Sequence, residues 1–242
     1  MTIEYVESCA STNALLAGSD AGDCHFVVAR RQTAGRGQRG NTWESLPYAN
    51  LTFSLMVRPH SLAAARQFEL SMVVALALAD AIDAVLAADG APGRCEVKWP
   101  NDLYYNDRKL AGILIENSLE GRNISRSIVG IGLNVNQEAF FSDAPNPMSI
   151  KNITGRQYNL DELMEHVAAT IAKAIGTYRR EGDAATLLAQ YRGRMWRGTG
   201  EWPFREPAGE VFRSSVASVG LDGTLTLANG RSYAFKEVAF VL

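Results

Sequence analysis

Between Arg30 and Trp43 the chain reads Arg-Arg-Gln-Thr-Ala-Gly-Arg-Gly-Gln-Arg-Gly-Asn-Thr-Trp, placing four arginines (Arg30, Arg31, Arg36, Arg39) among three glycines (Gly35, Gly37, Gly40). Glycine lacks a Cβ, so the backbone there can take positive φ and come close to a ligand. Guanidinium groups present planar, permanently charged forks that match carboxylate and phosphate oxygens. Such a loop can wrap a small anion. The same residues also suit a solvated basic loop, and this segment alone does not separate the two. It is not a Walker-type phosphate loop, because no Gly-Lys-Ser/Thr ending follows. Nor is it a dinucleotide fingerprint, since no apolar helix follows Gly40.

Three further segments bear on the choice. Ser11-Thr12-Asn13 follows a short strand candidate, Ile3-Glu4-Tyr5-Val6, and offers three small hydrogen-bonding side chains at a helix start, where capping alone would account for them. Lys98-Trp99-Pro100-Asn101-Asp102 runs into Tyr104-Tyr105-Asn106-Asp107-Arg108-Lys109-Leu110-Ala111-Gly112. Asn106-Asp107 suits a two-residue hairpin turn whose central residues both take positive φ. That register sets Tyr104 opposite Lys109 and Asp102 opposite Ala111, with Asp102 and Lys109 as diagonal neighbours on one face. An ordinary surface ion pair would satisfy the same spacing. Finally, Ile128 to Asn136 alternates strictly, with Val129, Ile131, Leu133 and Val135 on one side and Gly130, Gly132, Asn134 and Asn136 on the other. Glycines within a strand mark close approach of a ligand or of another element. This side is expected to form a floor for a flat ring, unless a helix packs there.

In this order and spacing, the Gly35-Arg36-Gly37 loop, Lys98 to Asp102, and Lys109-Leu110-Ala111-Gly112 resemble the biotin protein ligases, over about residues 3–185 with a weaker echo beyond. The resemblance implies an ATP-dependent enzyme that makes biotinyl-5'-AMP and pyrophosphate, then passes biotin to one lysine of a biotin carboxyl carrier domain of a biotin-dependent carboxylase. It places Ser11, Thr12, Asn13, Gln32, Gly35, Arg36, Gly37, Gln38, Lys109 and Gly112 at biotin. Arg36, Arg39, Trp43, Asp102, Lys109 and Asn134 are placed at ATP or the adenylate, with Lys109 and Arg36 as catalytic groups and Asp102 as a candidate Mg²⁺ ligand. Trp43 suits either stacking on adenine or anchoring the loop in the core. Gln38 departs from the family, many members of which carry a second arginine there, leaving less positive charge to retain the intermediate.

Such an intermediate must be kept from water, so residues 36–42 are expected to order over it. Gln137 to Met148, with Phe140-Phe141, Pro145 and Pro147, is a second candidate lid. Repressor-type relatives carry an N-terminal helix-turn-helix, for which the ten residues before Ser11 leave no room, so no DNA partner is expected. Two other readings stay open: a lipoate-type ligase or octanoyltransferase, and a non-catalytic biotin sensor. Polar partners suit a ureido ring, whereas an acyl chain or dithiolane wants an apolar slot.

The elements that must carry these residues follow from composition and periodicity. A chain of 242 residues with 47% hydrophobic content can build a sizeable core and a small appendage. The net charge of −2 argues against a general nucleic-acid binder. The longest unbroken apolar run, Met72 to Ala79, is too short to cross a bilayer. No signal segment opens the chain, and Cys9, Cys24 and Cys95 have no metal spacing, which suits free thiols in a cytoplasm. His25, His60 and His166 fall outside the motifs. Ser61 to Asp89 and Asn159 to Arg180 have helical periodicity. The expected fold is therefore α+β: a mixed β-sheet packed with helices. The resemblance makes this a class II aminoacyl-tRNA synthetase/biotin ligase-like catalytic core (residues 1–189). Beyond it, residues 190–242 carry short strands split by Asp222-Gly223 and Asn229-Gly230 turns and read as an SH3-like C-terminal β-barrel. A homodimer through the sheet edge is compatible with this.

Overall fold

Side chains alternate along a strand, so a sheet covered by helices on one face leaves the other free for chemistry. The computed structural model describes residues 1–37, 41–59, 62–142 and 144–242. Its strands β1 (Thr2–Cys9), β2 (His25–Gln32), β3 (Leu51–Val57), β4 (Glu96–Lys98), β5 (Asp102–Tyr105), β6 (Arg108–Glu120) and β7 (Asn123–Leu133) form one sheet in the order β1-β2-β3-β7-β6-β5-β4. Only the β1–β2 pair is parallel, so the sheet is mixed.

One face is the core. Phe26, Val28, Phe53, Leu55, Val129, Ile131 and Leu133 are buried together with helices α2 (Phe68–Ala88) and α4 (Leu160–Glu181). The segment Ala64–Ala88 is long and apolar enough to span a bilayer by length and hydropathy. The run Met72–Ala79 alone does not reveal this, because Asp80 and Asp83 interrupt the pattern. Two-thirds of that window is buried, and α2 packs against both α4 and the sheet, which is why it is apolar nearly all round. The α-helix begins at Phe68, later than expected, after one 3₁₀ turn at Ala64–Arg66. Residues 62–64 are drawn instead to the β6–β7 turn, where Ile124 donates to the Leu62 carbonyl and Ala64 to that of Arg122. Asn159 caps α4 by accepting from the Asp161 N–H, with acids in the first turn and arginines in the last.

On the opposite face, the short helix α1 (Thr12–Ala17) seals Leu16 over Val27, Met56 and Ile128. It covers only part of that face.

Two further helices are α3 (Ile150–Thr154) and α5 (Ala184–Gly193), α5 running across residue 190. Beyond it lie two three-stranded sheets, which make up the SH3-like C-terminal region. One joins β10 (Val216–Val219), β11 (Leu225–Leu227) and β12 (Ser232–Tyr233); the other joins β13 (Ala239–Phe240), β8 (Trp202–Arg205) and β9 (Val211–Ser214). Gly223 and Gly230 both have positive φ, as their turns require. The C-terminal strand β13 is too short to show periodicity and is found only through its pairing with β8.

Candidate active site

Two cross-strand rows on the open face build the floor of the site. Ser54 of β3 pairs with Gly130 of β7, which pairs with Leu114 of β6. Next to it, Thr52 pairs with Gly132, Gly132 with Gly112, and Gly112 with Asp102 of β5. All of these residues except the buried Ser54 line a cavity of about 1130 Å³, which is bounded at one end by the C-terminal region through residues including Arg205, Glu206 and Lys236.

The glycines on these rows make room for side chains of the protein itself. A Cβ on Gly130 would overlap the Asn13 amide, and one on Gly132 would overlap the Trp43 indole. Gly112 approaches the same indole from the neighbouring strand, with 3.0 Å to Trp43 Cζ3 for an added Cβ. The flat ring expected on this floor is thus supplied by Trp43. Its Nε1 is buried without a hydrogen-bond partner.

The β5–β6 hairpin has the expected turn, with φ of 45° at Asn106 and 62° at Asp107. Its register departs from the expected one. A bulge at Leu110 leaves Tyr104 opposite Lys109 but sets Asp102 opposite Gly112 rather than Ala111. Ala111 is fully buried on the other side, while Asp102 and Lys109 meet in an ion pair of 2.8 Å. Lys109 Nζ lies 5.5 Å from the Trp43 ring centroid. Nearby Lys98 sits over the Tyr104 ring at 5.0 Å. Burial pushes the Lys98 ammonium below the ordinary lysine pKa, with Asp102 opposing and Lys109 reinforcing that fall.

At the other end of the cavity the groups are short and polar. The Thr12 N–H donates to Gln32 Oε1 at 2.9 Å, and Ser54 Oγ lies 2.7 Å from Thr12 Oγ1 and 2.6 Å from Asn13 Oδ1. Ser11, Thr12 and Asn13 are all buried. Ser11 occupies the N-cap of α1 without a side-chain capping bond, so capping does not explain it.

Of the residues singled out in the sequence, Ser11, Thr12, Asn13, Gln32, Arg36, Gly37, Trp43, Asp102, Lys109 and Gly112 line this one cavity. Gly35 lies beside it, at the base of the loop, where its carbonyl accepts from the Trp43 N–H at 3.0 Å. Asn134 is not among the lining residues. Strand β7 ends at Leu133, and Asn134 turns inward to donate to the Met148 carbonyl at 3.0 Å. Asn136 likewise clamps Tyr158 through both amide atoms. These two asparagines pin loops; they do not extend the floor. Gln38 and Arg39, and with them the middle of the expected 36–42 lid, lie outside the described residues.

The segment from Gln137 to Met148 is tied to the rest of the fold near both ends. Glu44 accepts from the Phe141 and Ser142 N–H groups and from Gln137 Nε2. Burial would raise its pKa, but the hydrogen bonds from Ser142, Phe141 and Gln137 outweigh that and hold it below the ordinary glutamate value. Further along, the Lys109 N–H donates to the Asn146 carbonyl at 2.8 Å and its carbonyl accepts from Met148. Thr52, Ser54, Glu44 and Glu116 lie outside the sequence motifs. Thr52 and Ser54 had a signal, as same-face polar residues in an otherwise apolar strand.

A family model described as the Biotin/lipoate A/B protein ligase family matches residues 9–134, just over half of the chain. The chain belongs to this family. Those residues run from the end of β1 to Asn134 and contain both rows of the floor. Among its relatives is a biotin–[acetyl-CoA-carboxylase] ligase of Paracoccus denitrificans, 39% identical over 154 residues, which is 61% of each chain. The match to the Bacillus subtilis bifunctional ligase/repressor BirA, 30% identical, covers 69% of this chain and only 50% of that one. The chain therefore spans about half to three-fifths of the length of such curated relatives. The fold matches a biotin protein ligase from Aquifex aeolicus solved with biotin and ATP, with a TM-score of 0.80 at 22% identity over 99% of this chain and 98% of that one.

Proposed function

We propose that this protein is a biotin protein ligase that activates biotin with ATP and transfers it to a lysine of a biotin carboxyl carrier domain. The observation that carries this reading is the Lys109–Asp102 ion pair beside the Trp43 ring, set between a polar end and a C-terminal wall of one cavity. In the first step a biotin carboxylate oxygen bonds to the α-phosphorus of ATP and pyrophosphate leaves. Both reactants are anions, so the work lies in positioning and charge neutralisation. Lys109 supplies a positive charge where they meet, and Arg36 a second from the loop. In the next step the acceptor amine attacks the acyl carbon and AMP departs.

The polar end favours biotin over an acyl chain. Thr12, Asn13 and Gln32, with Ser54 bonded behind the first two, can satisfy a ureido group, whose unpaired donors or acceptors would each cost about 1–3 kcal/mol. Mg²⁺ takes oxygen ligands and keeps several waters. Asp102 is the carboxylate on the floor and the residue that would hold the ion with the nucleotide's phosphates, which its pairing with a single lysine permits. The three thiols, all free, suit a reducing cytoplasm.

The test is incubation with ATP, Mg²⁺ and either biotin or lipoate, measuring pyrophosphate release and transfer to a biotin-acceptor domain. Biotin-dependent release followed by transfer is expected. Release with lipoate alone would move the assignment to the lipoate branch of the family, and no release with either would make the protein a sensor.

A further inference from the structure

Glu116 is a carboxylate to which the proposed chemistry gives no task. It follows Gly112 and Leu114 along the cavity face of β6. It lines a smaller recess with Arg36 and Leu114, next to the main cavity, and an acid so near two anionic reactants opposes their binding unless it has another role. Its Oε2 accepts a 2.6 Å hydrogen bond from Asn13 Nδ2 and a longer one, 3.3 Å, from Arg36 Nη2.

The Asn13 bond is the informative one. An ionised carboxylate can only accept, so Asn13 must turn its NH2 toward Glu116. Its carbonyl then faces Ser54, whose Oγ is 2.6 Å away. Ser54 alone cannot set this orientation, because a hydroxyl both donates and accepts and would tolerate either end of the amide. Asn13 is 4% exposed, with its amide against Gly130, so its orientation is set mainly by these protein partners. The Arg36 contact is weaker: longer, and made by a side chain half exposed to solvent.

We propose that Glu116 is a positioning residue that fixes which end of the Asn13 amide is presented to the ureido group of biotin. The assignment rests on the biotin reading above. With Glu116 in place, the Asn13 carbonyl keeps a second lone pair, and its NH2 a second hydrogen, in a defined direction for the ligand. Without it the amide samples both orientations, one of which sets like groups against the ureido ring.

The experiment compares wild type, Glu116→Ala and Glu116→Gln in biotin- and ATP-dependent pyrophosphate exchange, with thermal unfolding of each protein recorded alongside. Glu116→Ala is expected to raise the KM for biotin about tenfold, the effect of one lost orienting hydrogen bond, while kcat and the KM for ATP stay within about twofold. Glu116→Gln, whose carbonyl still accepts from Asn13 Nδ2, should restore the biotin KM to within about threefold of wild type. A merely structural role would instead lower kcat and the melting temperature in both variants, and that result overturns the assignment. So does an unchanged biotin KM in Glu116→Ala when the wild type is active. A wild-type protein with no biotin-dependent exchange overturns the biotin reading itself and this inference with it.

Discussion

Lys109 and Asp102 meet at 2.8 Å across the hairpin that carries them both, with a one-residue bulge between their strand partners. Without the bulge, Ala111 would lie opposite Asp102; with it, glycine does, and the indole of Trp43 can lie against that glycine. Replacing Lys109 with alanine should leave the fold intact, since the side chain is partly exposed, yet slow adenylate formation on the order of 10²-fold or more. Stopped-time pyrophosphate release checks this; a near-normal rate would take Lys109 out of the mechanism.

Gly132 has no space for a methyl group while Trp43 occupies its place. Gly132→Ala should therefore destabilise the protein by about 1–3 kcal/mol through overpacking. In a Trp43→Ala background the same change should cost far less, because the ring that clashes is gone. A double-mutant cycle by denaturant unfolding measures the difference, and additive effects would show that the two residues do not compete for one space.

Glu44 fastens the stretch after Gln137 through two backbone N–H groups and one amide. Glu44→Ala should raise hydrogen exchange at Phe141 and Ser142 while leaving β7 protected. The pH dependence has a definite sign. A carboxyl held below its ordinary pKa keeps its hydrogen bonds at neutral pH and loses them only as pH falls through that lowered value. Exchange at these amides, corrected for its intrinsic pH dependence, should therefore stay slow until well into the acid range.

Asp23 joins the β1–β2 connection to α4 through Arg179, with Oδ1 2.9 Å from Nη2. Burial raises its pKa, but the Arg179 fork and the Arg58 N–H prevail and bring it down to about 2. Its contribution is complete above the ordinary value of 3.8 and fades as pH falls toward about 2. Asp23→Asn should cost about 1 kcal/mol at neutral pH, allowing for solvent screening of a partly exposed pair. Below pH about 2, where Asp23 itself is protonated, the variant and the parent should melt together.

The parts of this architecture that could be read from the chain are those written in local chemistry. Asn106-Asp107 announced its turn because few residue pairs take positive φ twice. The alternation from Val129 to Leu133 announced a strand with one apolar face. Long-range decisions were not legible. The bulge at Leu110 depends on which strand edge Lys109 offers to Asn146 and Met148, some forty residues on. Asn134 looks like one more polar residue on the floor until the strand is seen to stop one residue earlier. The Ser11-Thr12-Asn13 trio reads as a capping signal, and only the partners Gln32, Ser54 and Glu116, on three separate strands, give it another meaning.

Trp196 is wedged between Tyr104 and Phe240, with ring centroids 5.0 and 5.3 Å away, and its Nε1 donates to Asp107 at 2.8 Å. Val97 of β4 donates its N–H to the Arg194 carbonyl and accepts at its own carbonyl from the Trp196 N–H. The last quarter of the chain is thus stapled to the very hairpin that bears the charged pair. Amputating it would strip a wall from that hairpin as well as a roof from the cavity. The intact protein should accordingly melt in a single step, its two regions failing together.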